Sequence, residues 1–195
     1  MARIYQFLII AIAFLGLSAC QTGVSVEKTI SFQIQDDAEL AINARRLEIV
    51  DNWIMPLSPP YVEHELTPTP AESLIDWATK TVLPKGASGE LILNISEASI
   101  QQEKLPPAEG FFDSLKDNQE SRIRVTMQAQ LLWIQPVGNY TGTAELAAKV
   151  SQTLPESATP ADYIIAKQNL VNRAIGLIDS QARSEIAKIP AMILP

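Results

Sequence analysis

Two long stretches of the chain alternate apolar and polar residues with a period of two. Ile123, Val125, Met127, Ala129, Leu131 and Trp133 share one parity against Arg122, Arg124, Thr126, Gln128 and Gln130. After Gln135-Pro136-Val137-Gly138-Asn139, the residues Tyr140, Gly142, Ala144, Leu146, Ala148 and Val150 alternate with Thr141, Thr143, Glu145 and Lys149. This period belongs to strands with one buried and one wet face. Leu91, Leu93 and Ile95 predict a third such strand, and Ala41–Val50 a fourth that Arg45-Arg46 interrupts. Ile30, Phe32 and Ile34 suggest an edge strand over Thr29–Gln35.

Two helices are announced by the same device. Thr69-Pro70-Ala71-Glu72 and Thr159-Pro160-Ala161-Asp162 each place Thr at the N-cap, Pro at the first helical position and an acid two residues on. From the first cap, Ala71, Leu74, Ile75, Ala78 and Val82 form an apolar stripe that ends near Pro84-Lys85-Gly86. From the second, Tyr163, Ala166, Leu170, Val171, Ala174, Leu177, Ile178, Ala182 and Ile186 form a longer one, closed by Pro190. Five prolines between Pro56 and Pro70 predict an extended, irregular connection. The order β-α-β-β-β-α predicts an α/β (α+β) two-layer sandwich. Its largely antiparallel four-stranded sheet would carry both helices on one face.

Composition narrows the chemistry. The chain has 195 residues, 47% hydrophobic and 19% charged, which suits one folded domain and a short extra. A formal charge of -7 argues against a nucleic-acid backbone as partner. A single Cys excludes an intramolecular disulfide, and a single His excludes a His-rich metal site. No cofactor is expected.

At the N-terminus, Arg3 precedes an apolar run from Phe7 to Leu17, then Ser18-Ala19 and the only cysteine, Cys20. This is the charged, apolar, small-residue order of a secretory signal, and the run is shorter than the roughly 20 residues of a spanning helix. Leu17-Ser18-Ala19-Cys20 resembles the lipobox of bacterial lipoproteins. The resemblance implies a lipid-linked Cys20, cleavage before it, and acylation of the new amino terminus. Together with the element pattern it divides the chain into a signal peptide (1–19), a lipidated N-terminus and tether (20–28), one domain (29–189) and a C-terminal tail (190–195). In lipoproteins of the enteric type an Asp after the lipidated residue retains the protein in the inner membrane, so the resemblance implies, through Gln21, the outer membrane facing the periplasm.

Candidate catalytic groups are few. Glu63-His64-Glu65 is the sole acid–histidine cluster, and an extended backbone would turn His64 away from both acids into a solvated loop. Gly86-Ala87-Ser88-Gly89 lacks the spacing of a nucleophile elbow and reads as a helix stop and turn. Asn139-Tyr140-Thr141 has the form of a glycosylation sequon, but it reads as a hairpin turn. The loop from Gln101 to Ser121 carries the adjacent Phe111 and Phe112, which either cover a core edge or meet a partner or lipid. The outer sheet face, with Arg122, Arg124, Gln128, Gln130, Thr141, Thr143, Glu145 and Lys149, is expected to be solvated or to dock a protein.

Lipobox, tether and small sandwich together are similar to the accessory lipoproteins of bacterial envelope machines. In element order, from Ala41 to Lys188, they resemble the lipopolysaccharide-assembly lipoprotein and the auxiliary lipoproteins of ABC-type lipid transport systems. Val62-Glu63-His64, Thr69-Pro70-Ala71 and Trp77 also look like a lipoprotein family of alphaproteobacteria with no activity to carry over. The resemblance implies a non-catalytic accessory protein, with the membrane as one partner and an envelope protein as another. The alternative is a lipid or small-molecule binding module, with an apolar space between helices and sheet as its site, and an enzyme that relies on His64 as its base comes third.

Overall fold

The computed structural model describes residues 39–106 and 119–194. Six strands are seen: β1 (Leu40–Ile42), β2 (Arg46–Asp51), β3 (Val82–Pro84), β4 (Glu90–Lys104), β5 (Gln119–Gln135) and β6 (Tyr140–Pro155). The helices are α1 (Pro70–Thr81) and α2 (Pro160–Ile186), with a 3-10 turn at Glu63–Glu65. A four-stranded sheet runs β2-β4-β5-β6, parallel at its first pair and antiparallel at the others. The chain is therefore a mixed α+β fold with a small second sheet, in which β1 and β3 pair in parallel.

Parity fixes the layers. Every odd residue of β5 from Ile123 to Trp133 is buried, facing Leu91, Leu93 and Ile95 on one side and Ala144, Leu146, Ala148 and Val150 on the other. In β4 the register shifts between Ile95 and Glu97, after which Ala98 and Ile100 take over the core positions opposite Met127 and Val125. One unpaired residue, Ser96, thus keeps apolar groups facing apolar groups although their parity in the sequence changes. On the outer face, Gln128 Nε2 donates to Glu97 Oε2 at 3.1 Å and Gln130 Nε2 to Glu145 Oε1 at 2.5 Å.

Both helices start as the sequence predicts. Thr69 and Thr159 accept from the amides of Glu72 and Asp162, whose carboxylates accept in return from the cap amides. α1 ends at Thr81, earlier than its stripe suggests, because Val82–Pro84 pairs with β1 instead. The α2 stripe packs on the sheet with Leu170, Ala174, Ile178 and Ala182 fully buried. Leu177, assigned to that stripe, is instead 46% exposed.

The single strand expected over Ala41–Val50 is two strands. The chain bends at Asn43, whose carbonyl accepts from Trp133 Nε1 at 2.8 Å and Gln135 Nε2 at 3.1 Å. Residues 190–194, read as a tail, are also part of the domain. Asn43 N donates to Met192 O and Leu194 N to Ala41 O, and Met192 is fully buried. The loop expected from Gln101 to Ser121 begins later, since Gln101 pairs with Arg124 and Lys104 with Ser121.

Candidate functional site: a groove beside the start of the long helix

The proline-rich segment after β2 is not a free connection. Tyr61 bridges Gln101, Val62 N donates to Ile100 O, and Gln102 N donates to Pro60 O. Residues 60–62 thereby cover the part of the β4 edge that β2 leaves open. The next residues curl into the 3-10 turn. Glu63 is fully buried there, with Oε2 accepting weakly from Ile100 N at 3.4 Å. Its Oε1 has no partner among the described residues, an uncommon state for a buried carboxylate oxygen.

The extended, solvated reading of Glu63-His64-Glu65 is thus corrected by the turn. Glu63 points inward, His64 is exposed, and Glu65 Oε2 meets Lys167 Nζ at 2.5 Å. The Lys167 side chain, on the sheet-facing side of α2, is only 3% accessible, whereas that of Glu65 is 48% accessible. A buried ammonium requires such a partner. Sequence reasoning passed over Lys167, although it is a charged residue four positions after Tyr163 and three before Leu170, on the phase of the apolar stripe.

Between this turn and the first turns of α2 lies an open cavity of about 570 Å³. Pro59, Pro60 and Val62 form one wall, Tyr163 and Ile164 another, and the Lys167–Glu65 pair supplies the charge. Tyr163 donates its hydroxyl to Ser121 Oγ at 3.1 Å, which holds the ring against the end of β5. Ile164 and its neighbour Ile165 are about half exposed. Next to the groove, Trp53 packs near Tyr61, with ring centroids 6.2 Å apart.

The other sequence candidates sit elsewhere. Ser88 donates to Gln135 Oε1 at 2.6 Å within the polar corner at Asn43. Asn139 lies in the β5–β6 turn with φ of 54°. Cys20, Gln21, the Thr29–Gln35 strand, Phe111 and Phe112 lie outside the described residues. Among the described residues, no helix is long and apolar enough to cross a membrane.

No family model and no curated protein matches the chain. The solved structures it resembles include bacterial lipoproteins. Rare lipoprotein B from Shewanella oneidensis aligns over 72% of this chain and 96% of its own, at 9% identity and a TM-score of 0.35. A minor lipoprotein from Acinetobacter baumannii aligns over 80% and 99%, at 11% identity and a TM-score of 0.39. A Xanthomonas campestris protein of the DUF330 family model aligns over 74% and 91%, at 10% identity and a TM-score of 0.32.

Proposed function

We propose that this chain is an envelope lipoprotein, held to a membrane through Cys20, whose domain binds a protein partner instead of turning over a substrate. The carrying observation is Leu17-Ser18-Ala19-Cys20, with the only cysteine directly after a short apolar run. A thioether-linked diacylglycerol and an acylated amino terminus anchor a protein firmly, since each buried methylene contributes about 0.8 kcal/mol. Gln21 directs the anchored protein to the outer membrane, facing the periplasm.

The geometry supports binding over catalysis. The single imidazole, His64, faces solvent while its two neighbouring acids turn elsewhere, and Ser88 is spent on Gln135. What the domain offers is a polar sheet face and an apolar groove with one ion pair in it. Such surfaces suit an accessory role in outer-membrane assembly or lipid transport, exercised through another envelope protein. Crosslinking in intact cells followed by mass spectrometry should return one defined envelope partner. Recovery of the lipoprotein alone at native abundance counts against this role.

A second reading, a lipid or small-molecule binding module, is favoured by the groove itself. Its volume falls in the range of ligand sites, and its walls are largely apolar. The helix–sheet interface is filled by side chains such as Leu170 and Ile178, so an acyl chain would lie in the groove and not beneath α2. Native mass spectrometry of the protein after exposure to membrane lipids separates the two readings, since a persistently empty protein excludes the second.

A further inference from the structure

We propose that the loop joining β2 to the 3-10 turn, residues 52–62, is a membrane-contacting element that places its apolar side chains in the interface of a zwitterionic bilayer. From Asn52 to Val62 no residue carries a charge, although Asp51 and Glu63 bracket the segment. Ile54 is 85% exposed and Leu57 67% exposed, the first and third highest values among the large apolar residues that the structure describes. Leu57 is held at φ of 54°, a region that non-glycine residues seldom occupy, so the backbone keeps this leucine on display at a conformational cost.

The ends of the loop are fixed and its middle projects. Asn52 N donates to Ile95 O, and Asn52 Nδ2 donates to Asn94 Oδ1 at 2.7 Å. At the other end, Val62 N and Pro60 O are bound to β4. Trp53 packs partly on the core with its indole Nε1–H buried, and Tyr61 lies 6.2 Å from it, so the two rings sit at the base of the segment beneath the exposed Ile54 and Leu57. Pro59 and Pro60 also line the groove, so the apolar surface continues to the half-exposed Ile164.

Two features select a lipid surface over a protein. Pro56, Pro59 and Pro60 have no backbone N–H, which removes donors that would lose water on insertion. The loop also has no charge to give a protein partner orientation or register. Its chemistry further selects among lipids. With no Lys or Arg in the loop and a formal charge of -7 on the chain, attraction to anionic headgroups is not available. Binding through apolar contact is therefore indifferent to salt.

The test uses tryptophan emission of the full chain reconstituted in phosphatidylcholine vesicles with and without bromine on the acyl chains near the glycerol. Trp77 and Trp133 are 3% and 0% exposed, so a bromine-dependent loss reports Trp53. The expected result is a clear loss for the wild type that is absent in Trp53→Phe. The double variant Ile54→Asp, Leu57→Asp should lose most of it while keeping the near-UV circular dichroism of the wild type. Both sites are exposed, and Asp tolerates the left-handed backbone at position 57, so this variant should fold. Equal emission in plain and brominated vesicles overturns the proposal, as does quenching that appears only with anionic lipid or disappears in high salt. Crosslinked dimers that depend on Ile54 and Leu57, without quenching, would assign the loop to self-association instead. Palmitate labelling reads Cys20 and bromine quenching reads the loop, so the two can fail separately.

Discussion

Trp77 on α1 donates its indole Nε1–H to Asp179 Oδ1 on α2 at 3.0 Å, joining residues 102 positions apart in a buried contact. The same carboxylate accepts from Arg183, Nε to Oδ2 at 2.8 Å and a guanidinium amine to Oδ1 at 3.1 Å. A cap-started short helix and a long one are thereby fixed to each other by a charge-assisted bond as well as by apolar packing. Trp77→Phe removes one donor and leaves Arg183 in place. Urea unfolding should show a loss of about 1.5–3 kcal/mol, the range for a hydrogen bond to a charged group. An unchanged midpoint would mean that neither this bond nor the buried indole fixes the two helices.

The groove's ion pair predicts an asymmetry. Glu65→Ala leaves the Lys167 ammonium buried without its partner, whereas Lys167→Met removes the charge and fills similar volume. Because the Glu65 side chain is 48% accessible, water can replace part of its role, and the loss for Glu65→Ala should be about 1–3 kcal/mol. Lys167→Met should cost less, since the desolvation of the ammonium goes with it. Chemical denaturation of the two variants gives the order, and the reverse order would contradict the account of a buried charge held by a half-exposed acid.

Gly86 marks where the β3–β4 connection touches the bend at Asn43. A Cβ at this position would lie 2.7 Å from Ala44 N and 2.8 Å from the carbonyl carbon of Asn43, both backbone atoms. Gly86 N also donates to Ala44 O at 2.8 Å, so the two backbones cannot separate without losing that bond. Gly86→Ala should lower stability by about 1–3 kcal/mol, the cost of overpacking a tight site. Thermal unfolding followed by circular dichroism is sufficient to measure it.

Much of the fold was readable because its causes are local. The parity of Ile123 to Trp133 is the buried face of β5, and Leu91, Leu93 and Ile95 are that of the first half of β4. Both Thr-Pro caps work within four residues, and both formed. What escaped depends on residues far along the chain. Ala41–Val50 splits because Trp133 and Gln135 reach the carbonyl of Asn43 from about ninety positions away. Glu63 is carried inward by the turn that Val62 N ties to Ile100 O of β4, and nothing within Glu63-His64-Glu65 signals that. Lys167 stands on the apolar phase of α2 and was passed over, because its partner Glu65 lies in a distant proline-rich loop.

Asp162 sets a pH dependence at the start of α2. The hydroxyl of Thr159, and then its backbone amide, hold this carboxyl below its ordinary pKa of 3.8. A group whose folded pKa is depressed stabilises the fold fully above its unfolded value and loses that contribution as pH falls through the folded one. The stability gap between wild type and Asp162→Asn should therefore be constant near neutrality and narrow in the acid range below about pH 4. Denaturation midpoints at pH 6 and at successively lower pH give this directly. A gap that widened in acid would contradict the cap.

In the proposed function, Cys20 carries the localisation. Its thiol is the acyl acceptor in the lipobox reading, and a serine hydroxyl lacks the nucleophilicity of a thiolate. Cys20→Ser should therefore abolish labelling with palmitate. The described domain begins at residue 39, so none of its strands or helices contains the substituted position, and its unfolding should match the wild type. The lipobox peptidase acts after lipid transfer, so precursor should accumulate, still held by the apolar run from Phe7 to Leu17. Globomycin should produce the same uncleaved band from the wild type. Normal processing and palmitate labelling of Cys20→Ser would refute the anchor. The choice of membrane is a separate matter, because in the proposed function it rests on Gln21 and not on the thiol. Sucrose-gradient fractions that place the wild type with inner membrane would overturn the sorting assignment while leaving the lipid attachment intact.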